Sequence, residues 1–101
     1  MISHIVLMKP HPRATAAAFE QMFAALLSLR ELIPGIVDIR FGPNVSPESL
    51  DQGFSQGFMV TFTDIAARDR SLPHPAHLAV EPIVQSVAAD LVVFDLETAG
   101  P

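Results

Sequence analysis

The chain has no cysteine among its 101 residues, which removes disulfides, thiolate nucleophiles and cysteine-based metal sites together. Basic residues are also few: six Lys and Arg stand singly against eleven Asp and Glu, for a formal net charge of −5. Neutralising a run of phosphates needs a basic stripe, and none is present, so nucleic acid is not an expected partner. No apolar run approaches the length that crosses a bilayer, and no basic segment followed by a long apolar stretch opens the sequence. The expected location is the cytoplasm, away from membranes. Without a Gly-rich loop ahead of a helix, or a G-x-S-x-G turn, phosphate cradling and serine-hydrolase chemistry have no support.

What the chain does have is apolar residues in excess, at 50% of the total. Its length allows one domain, and a domain of this size buries only a modest share of its surface. The excess therefore implies apolar area covered by another subunit, most simply in a two-fold homodimer.

Ile2 to Met8 reads as a strand with His4 on the same face as Ile2, Val6 and Met8, stopped by Lys9-Pro10-His11-Pro12. From Thr15, a plausible N-cap, to Ile33, the residues Phe19, Met22, Phe23, Leu26, Leu27 and Ile33 recur at helical spacing. Pro34-Gly35 ends that helix, and Val37, Ile39 and Phe41 alternate with Asp38 and Arg40 as a half-exposed strand. After a polar loop from Gly42 to Gly53, a strand is expected over Phe54 to Thr63 with Phe54, Gln56, Phe58, Val60 and Phe62 on one face. Asp64 caps a short helix to Arg70. A further helix starts at Pro75 and is broken or restarted at Pro82, and Leu91 to Leu96 is the last strand, with Glu97 onward fraying. The order β-α-β-β-α-β predicts a ferredoxin-like α+β fold, a split βαβ unit whose four-stranded antiparallel sheet carries helices on one face. Residues 1–97 form the expected domain and 98–101 a C-terminal tail.

Two of the four histidines fall in Leu72-Pro73-His74-Pro75-Ala76-His77. Pro75 suits the first helical position, which puts His74 at the N-cap and His77 in the first turn. A helix N-terminus disfavours a second positive charge, so both imidazoles are expected to lean towards the neutral form that can accept a proton. The spacing of His74 and His77 also invites a zinc reading, but no third ligand stands nearby, and neither a metal nor another cofactor is expected.

His4-Ile5-Val6-Leu7, Ile33-Pro34-Gly35-Ile36, Phe41 to Glu48 with Gly53 to Phe58, His74-Pro75-Ala76-His77 and Val92-Val93-Phe94-Asp95 together resemble the stress-responsive dimeric α/β-barrel (Dabb) family over nearly the whole chain. The resemblance implies a ferredoxin-like subunit paired into a dimeric α/β barrel. Such families include proteins of unassigned role, stress-associated plant proteins that form stable assemblies, and a plant polyketide cyclase. In that cyclase the histidine matching His77 is the proposed acid–base residue, and the first-strand histidine is retained as His4. A tyrosine is replaced here by Ser71 and a second cavity histidine by Gln56. With no tyrosine in the chain, a phenol cannot donate to an oxyanion.

Two site readings stay open. In one, an apolar pocket between the sheet and the first helix is lined by Val6, Met8, Phe23, Leu26 and Leu27. His77 is then the catalytic base, His4 its partner, Ser71 or Gln56 a hydrogen-bond donor, and His74 a structural cap. In the other, these residues fill an ordinary core and the protein is a stress-protective assembly without catalysis, its subunit interface carried by Phe54, Phe58, Phe62 or Phe41. The first reading calls for a small apolar or carbonyl-containing ligand, as a bound molecule or as the substrate of a cyclase- or lyase-like enzyme. The second calls only for other copies of the chain.

Overall fold

A computed structural model describes residues 1–99, so the last two residues of the expected tail lie outside the described part. The elements are β1 (Ile2–Pro10), α1 (Ala16–Leu32), β2 (Ile36–Pro43), β3 (Gln56–Phe62), α2 (Ile65–Ser71), α3 (Pro75–Val87) and β4 (Ala88–Glu97). The strands form one antiparallel sheet in the order β2-β3-β1-β4, the ferredoxin-like arrangement.

Local chemistry sets the helix starts. The Ala18 N–H donates to Thr15 Oγ1 at 3.1 Å, and the Ala67 N–H to Asp64 Oδ1 at 2.8 Å. At α3 the Ala76 N–H donates to His74 Nδ1 at 3.0 Å, so His74 is the cap and Pro75 begins the helix. The helix runs unbroken through Pro82, against expectation. Pro82 lies on the exposed side, while Val80, Val84 and Val87 hold the turns around it in the core. Met1 and Thr98 are tied together as well: β4 continues to Glu97, and Thr98 exchanges hydrogen bonds with Met1 through N–H and carbonyl, so no fraying begins at Glu97.

Both long helices cover the same face of the sheet. Ile2, Val6 and Met8 from β1 and Phe58, Val60 and Phe62 from β3 meet Met22, Leu26, Leu29 and Ile33 from the α1 segment. In β2 the register shifts between Ile36 and Asp38, so Ile36 opposes Phe62 and Ile39 opposes Val60. This bulge puts Ile36, not Val37, on the inner face with Ile39. Phe58 and Phe62 are thus interior residues and cannot carry a subunit contact. Phe41 stacks on Phe23 at 4.1 Å between ring centres, and Phe54 lies under the Lys9 ammonium at the loop. Alternation assigns the opposite, uncovered face to Ile5, Leu7, Met59, Val92, Phe94 and Leu96, several of them well exposed.

Candidate functional site

A cavity of about 350 Å³ lies between the sheet and the helices. Its floor is Val6, Phe58, Val60 and Phe62, and its walls come from Leu26 and Leu29 of α1, Val80 and Val84 of α3, and Leu91 and Val93 of β4. Against this apolar lining stand His4, Arg68, Ser71, His77, Glu81 and Gln85. His4 and His77, 73 positions apart in the chain, both line this cavity.

The other expected lining residues divide. Val6, Leu26 and Ser71 line the cavity; Met8, Phe23, Leu27 and Gln56 do not. Met8 is wholly buried between layers, and Phe23 is turned towards β2 by its stack on Phe41. Leu27 is exposed because the inward seam of α1 runs Met22, Leu26, Leu29, Ile33, and one further residue rotates about 100° off that line. Gln56, at the opposite end of the sheet from His4, lines a second cavity. The first cavity also depends on α2 and α3 more than on α1.

Each imidazole is oriented through Nδ1. His77 Nδ1 lies 2.9 Å from the Leu72 carbonyl oxygen, which can only accept, so Nδ1 carries the hydrogen. Glu81, one turn along α3, stands 3.6 Å from the same nitrogen. His4 Nδ1 lies 2.6 Å from Asp95 Oδ1, its direct cross-strand neighbour on β4. Burial works to raise the Asp95 carboxyl, but hydrogen bonds from Arg68 and His4, with their charges, prevail and hold it below the ordinary carboxylate range. Asp95 is therefore an anion that accepts from His4 on one oxygen and from Arg68 on the other. Arg68 is itself steadied by Asp69 at 2.8 Å.

This arrangement fixes both Nδ1 atoms as donors and leaves both Nε2 atoms without a hydrogen bond among the described residues. Ser71 adds a hydroxyl: it is 3% exposed and lines the cavity. Two imidazole nitrogens and one hydroxyl on an otherwise apolar wall can transfer a proton and receive the charge that develops. Asp95 and Arg68 escaped the sequence reading, although Asp95 sits in a strand whose alternation with β1 would have placed it beside His4. No group of three His, Cys, Asp or Glu side chains positioned to hold a metal ion occurs among the described residues.

The chain is similar to known proteins in sequence and in fold. Olivetolic acid cyclase from Cannabis sativa is 26% identical over 94 residues, covering 93% of each chain. A dimeric ferredoxin-like protein of unknown function from Jannaschia sp. superposes with a TM-score of 0.85 at 29% identity, over 96% of this chain and 98% of its own. A hydroxynitrile lyase from Passiflora edulis shares the fold with a TM-score of 0.86 at 19% identity, over 99% and 96% of the two chains. The model of the stress responsive A/B barrel domain matches residues 2–98, and with that span, from the first strand to the last, the chain belongs to this family.

Proposed function

We propose that the cavity takes a small, mainly apolar compound bearing a carbonyl group, and that His77 and His4 move protons on it. One observation carries the reading: two imidazoles, each with Nδ1 engaged as a donor, border one apolar cavity and leave Nε2 for a ligand. With Nδ1 donating to the Leu72 carbonyl, Nε2 of His77 is the ring atom placed to remove a proton beside a carbonyl. The enolate oxygen so formed needs a donor, and the Ser71 hydroxyl or a protonated His4 supplies one where no tyrosine exists. The similarity to a cyclase supports proton transfer on a small molecule. In this reading the working unit is a homodimer, in line with the dimeric Jannaschia protein. An assembly role without chemistry is the second reading, and the uncovered apolar sheet face favours it.

Acetophenone in deuterium oxide separates the two. Binding in the cavity shifts the ring resonances of His4 and His77 saturably, and the methyl protons exchange faster than in buffer alone. Replacing the base, His77→Ala, lowers that exchange by about 10²–10⁴-fold, the usual contribution of a positioned acid–base group. Unshifted ring resonances together with exchange at the buffer rate would leave only the assembly reading.

A further inference from the structure

The two imidazoles are held alike, but the charges around them differ. Asp95, beside His4, is shared: Arg68 Nη1 donates to its second oxygen, so a cation already faces that carboxylate before His4 gains a proton. Beside His77 stands Glu81, whose Oε1 lies 3.6 Å from Nδ1 and whose side chain is half exposed. An ion pair four residues apart commonly supports its helix, but the support is weaker when the cation comes first. Here His77 lies in the first turn of α3 and the carboxylate one turn further on, so a cation at His77 opposes the positive end of the helix. The pair therefore does little for α3, and what it favours is charge on the imidazole. The other charged or titratable groups near His77 are His74, whose ring caps α3, and His4, Asp95 and Arg68 with its partner Asp69 across the cavity. Among the described residues, α1, β2 and β3 present only apolar side chains to the cavity.

We infer that Glu81 is a positioning residue for His77: its carboxylate holds the imidazolium that forms when Nε2 takes a proton from the ligand. This rests on the proton-transfer reading above and adds the residue that favours His77 over His4 as the acceptor. In the step itself Nε2 takes the proton from the carbon beside the carbonyl, and the C–H electron pair passes into the enolate. The ring becomes a cation with both nitrogens protonated. Nδ1–H stays on the Leu72 carbonyl at 2.9 Å, and Glu81 meets the new charge with no rearrangement of the helix. At His4 the same gain is offset, because the Asp95 anion that would receive it is already paired with Arg68. The attraction is absent while the His77 ring is neutral, so it acts on the transition state more than on ligand binding.

The test is Glu81→Gln, which keeps the shape of the side chain and removes its charge. Circular dichroism should be unchanged. By NMR the His77 ring signals should titrate about 0.3–0.7 unit lower in pH than in the unmodified chain, about a two- to fivefold loss of proton affinity. Salt at about 1 M should shrink the difference, and Glu81→Lys should roughly double it. Glu48→Gln removes the same charge beside the second cavity and should leave the His77 titration in place. With acetophenone saturating, at a pH above both midpoints, methyl exchange should slow about two- to threefold in Glu81→Gln while the dissociation constant stays the same. A His77 titration that moves no further in Glu81→Gln than in Glu48→Gln overturns the inference, and so does a shifted titration with an unchanged exchange rate. Exchange at the buffer rate in the unmodified chain overturns the ligand reading instead, and the titration then still decides whether Glu81 holds the imidazolium.

Discussion

At the scale of single residues the site rests on Asp95, whose two oxygens hold His4 and Arg68. Its carboxyl lies below the ordinary range in the folded chain, so the unfolded chain binds this proton more readily. Stability from Asp95 is therefore complete above the unfolded value of about 4 and is lost as the pH falls through the folded value. We expect Asp95→Asn to lower stability by about 1–2 kcal/mol at neutral pH, because Arg68 and His4 lose a charged acceptor. The variant should also lose less stability than the unmodified chain on acidification. Urea midpoints measured across the acid range check both; parallel pH profiles would mean that Asp95 keeps an ordinary carboxyl. Asp38, also held low by its hydrogen bond from Arg40, leaves a residual slope in both proteins. His4 and His77 could be singled out as candidates because each lies in a short, well-marked element, whereas Ser71 entered only through the family resemblance. Arg68 and Asp95 could not be, because their contact spans 27 positions and that of His4 with Asp95 spans 91. Spacing along a chain carries no such information until the sheet order is known.

At the scale of elements, the turn from α1 into β2 decides where α2 sits. Gly35 has φ +91°, and a β-carbon there would stand 2.6 Å from the Ala67 Cβ, too close for any rotamer to relieve. The Thr63 N–H donates to the Gly35 carbonyl at 3.0 Å, so the turn is fastened to the start of α2. Gly35→Ala should cost at least about 2 kcal/mol through strained backbone and overpacking together. Adding Ala67→Gly should return the packing part and leave the backbone part. Because Arg68 follows Ala67 directly, Gly35→Ala should also disturb the His4 ring signal. A stability change within error, by urea unfolding, would mean that the turn can relax away from α2. Element types and caps were legible here because Thr15, Asp64, His74-Pro75 and Pro34-Gly35 are strong local signals. The bulge in β2 was not, since Val37 is as apolar as Ile36 and only pairing with Phe62 separates them. The unbroken α3 was missed for a related reason: burial of Val80, Val84 and Val87 outweighs what Pro82 takes from the helix.

At the scale of the whole molecule, the described fold is thin, 16 Å along its shortest principal axis against 35 and 30 Å along the others. One helical layer on one sheet leaves the second sheet face uncovered by the chain's own helices, and the residues there include Phe94, 59% exposed, and Leu96, 46% exposed. The composition implied that apolar area is covered by another subunit, and of the aromatics expected to carry such a contact Phe58 and Phe62 lie in the core instead. Alternation divides β3 into two faces without saying which receives the helices, and it is the helices that bury Phe58 and Phe62. If the bare face is covered only by pairing, folding and association are linked, and the unfolded chain must give up the partner as well as the core. Each tenfold rise in concentration then adds about 1.4 kcal/mol per dimer, or about 3–5 °C in melting temperature for a pair of this combined length. Thermal melts over a hundredfold concentration range should therefore shift upward as the concentration rises and downward on dilution. A melting temperature independent of concentration at dilutions where ultracentrifugation shows dissociation would mean that the isolated subunit is stable with its apolar face in water.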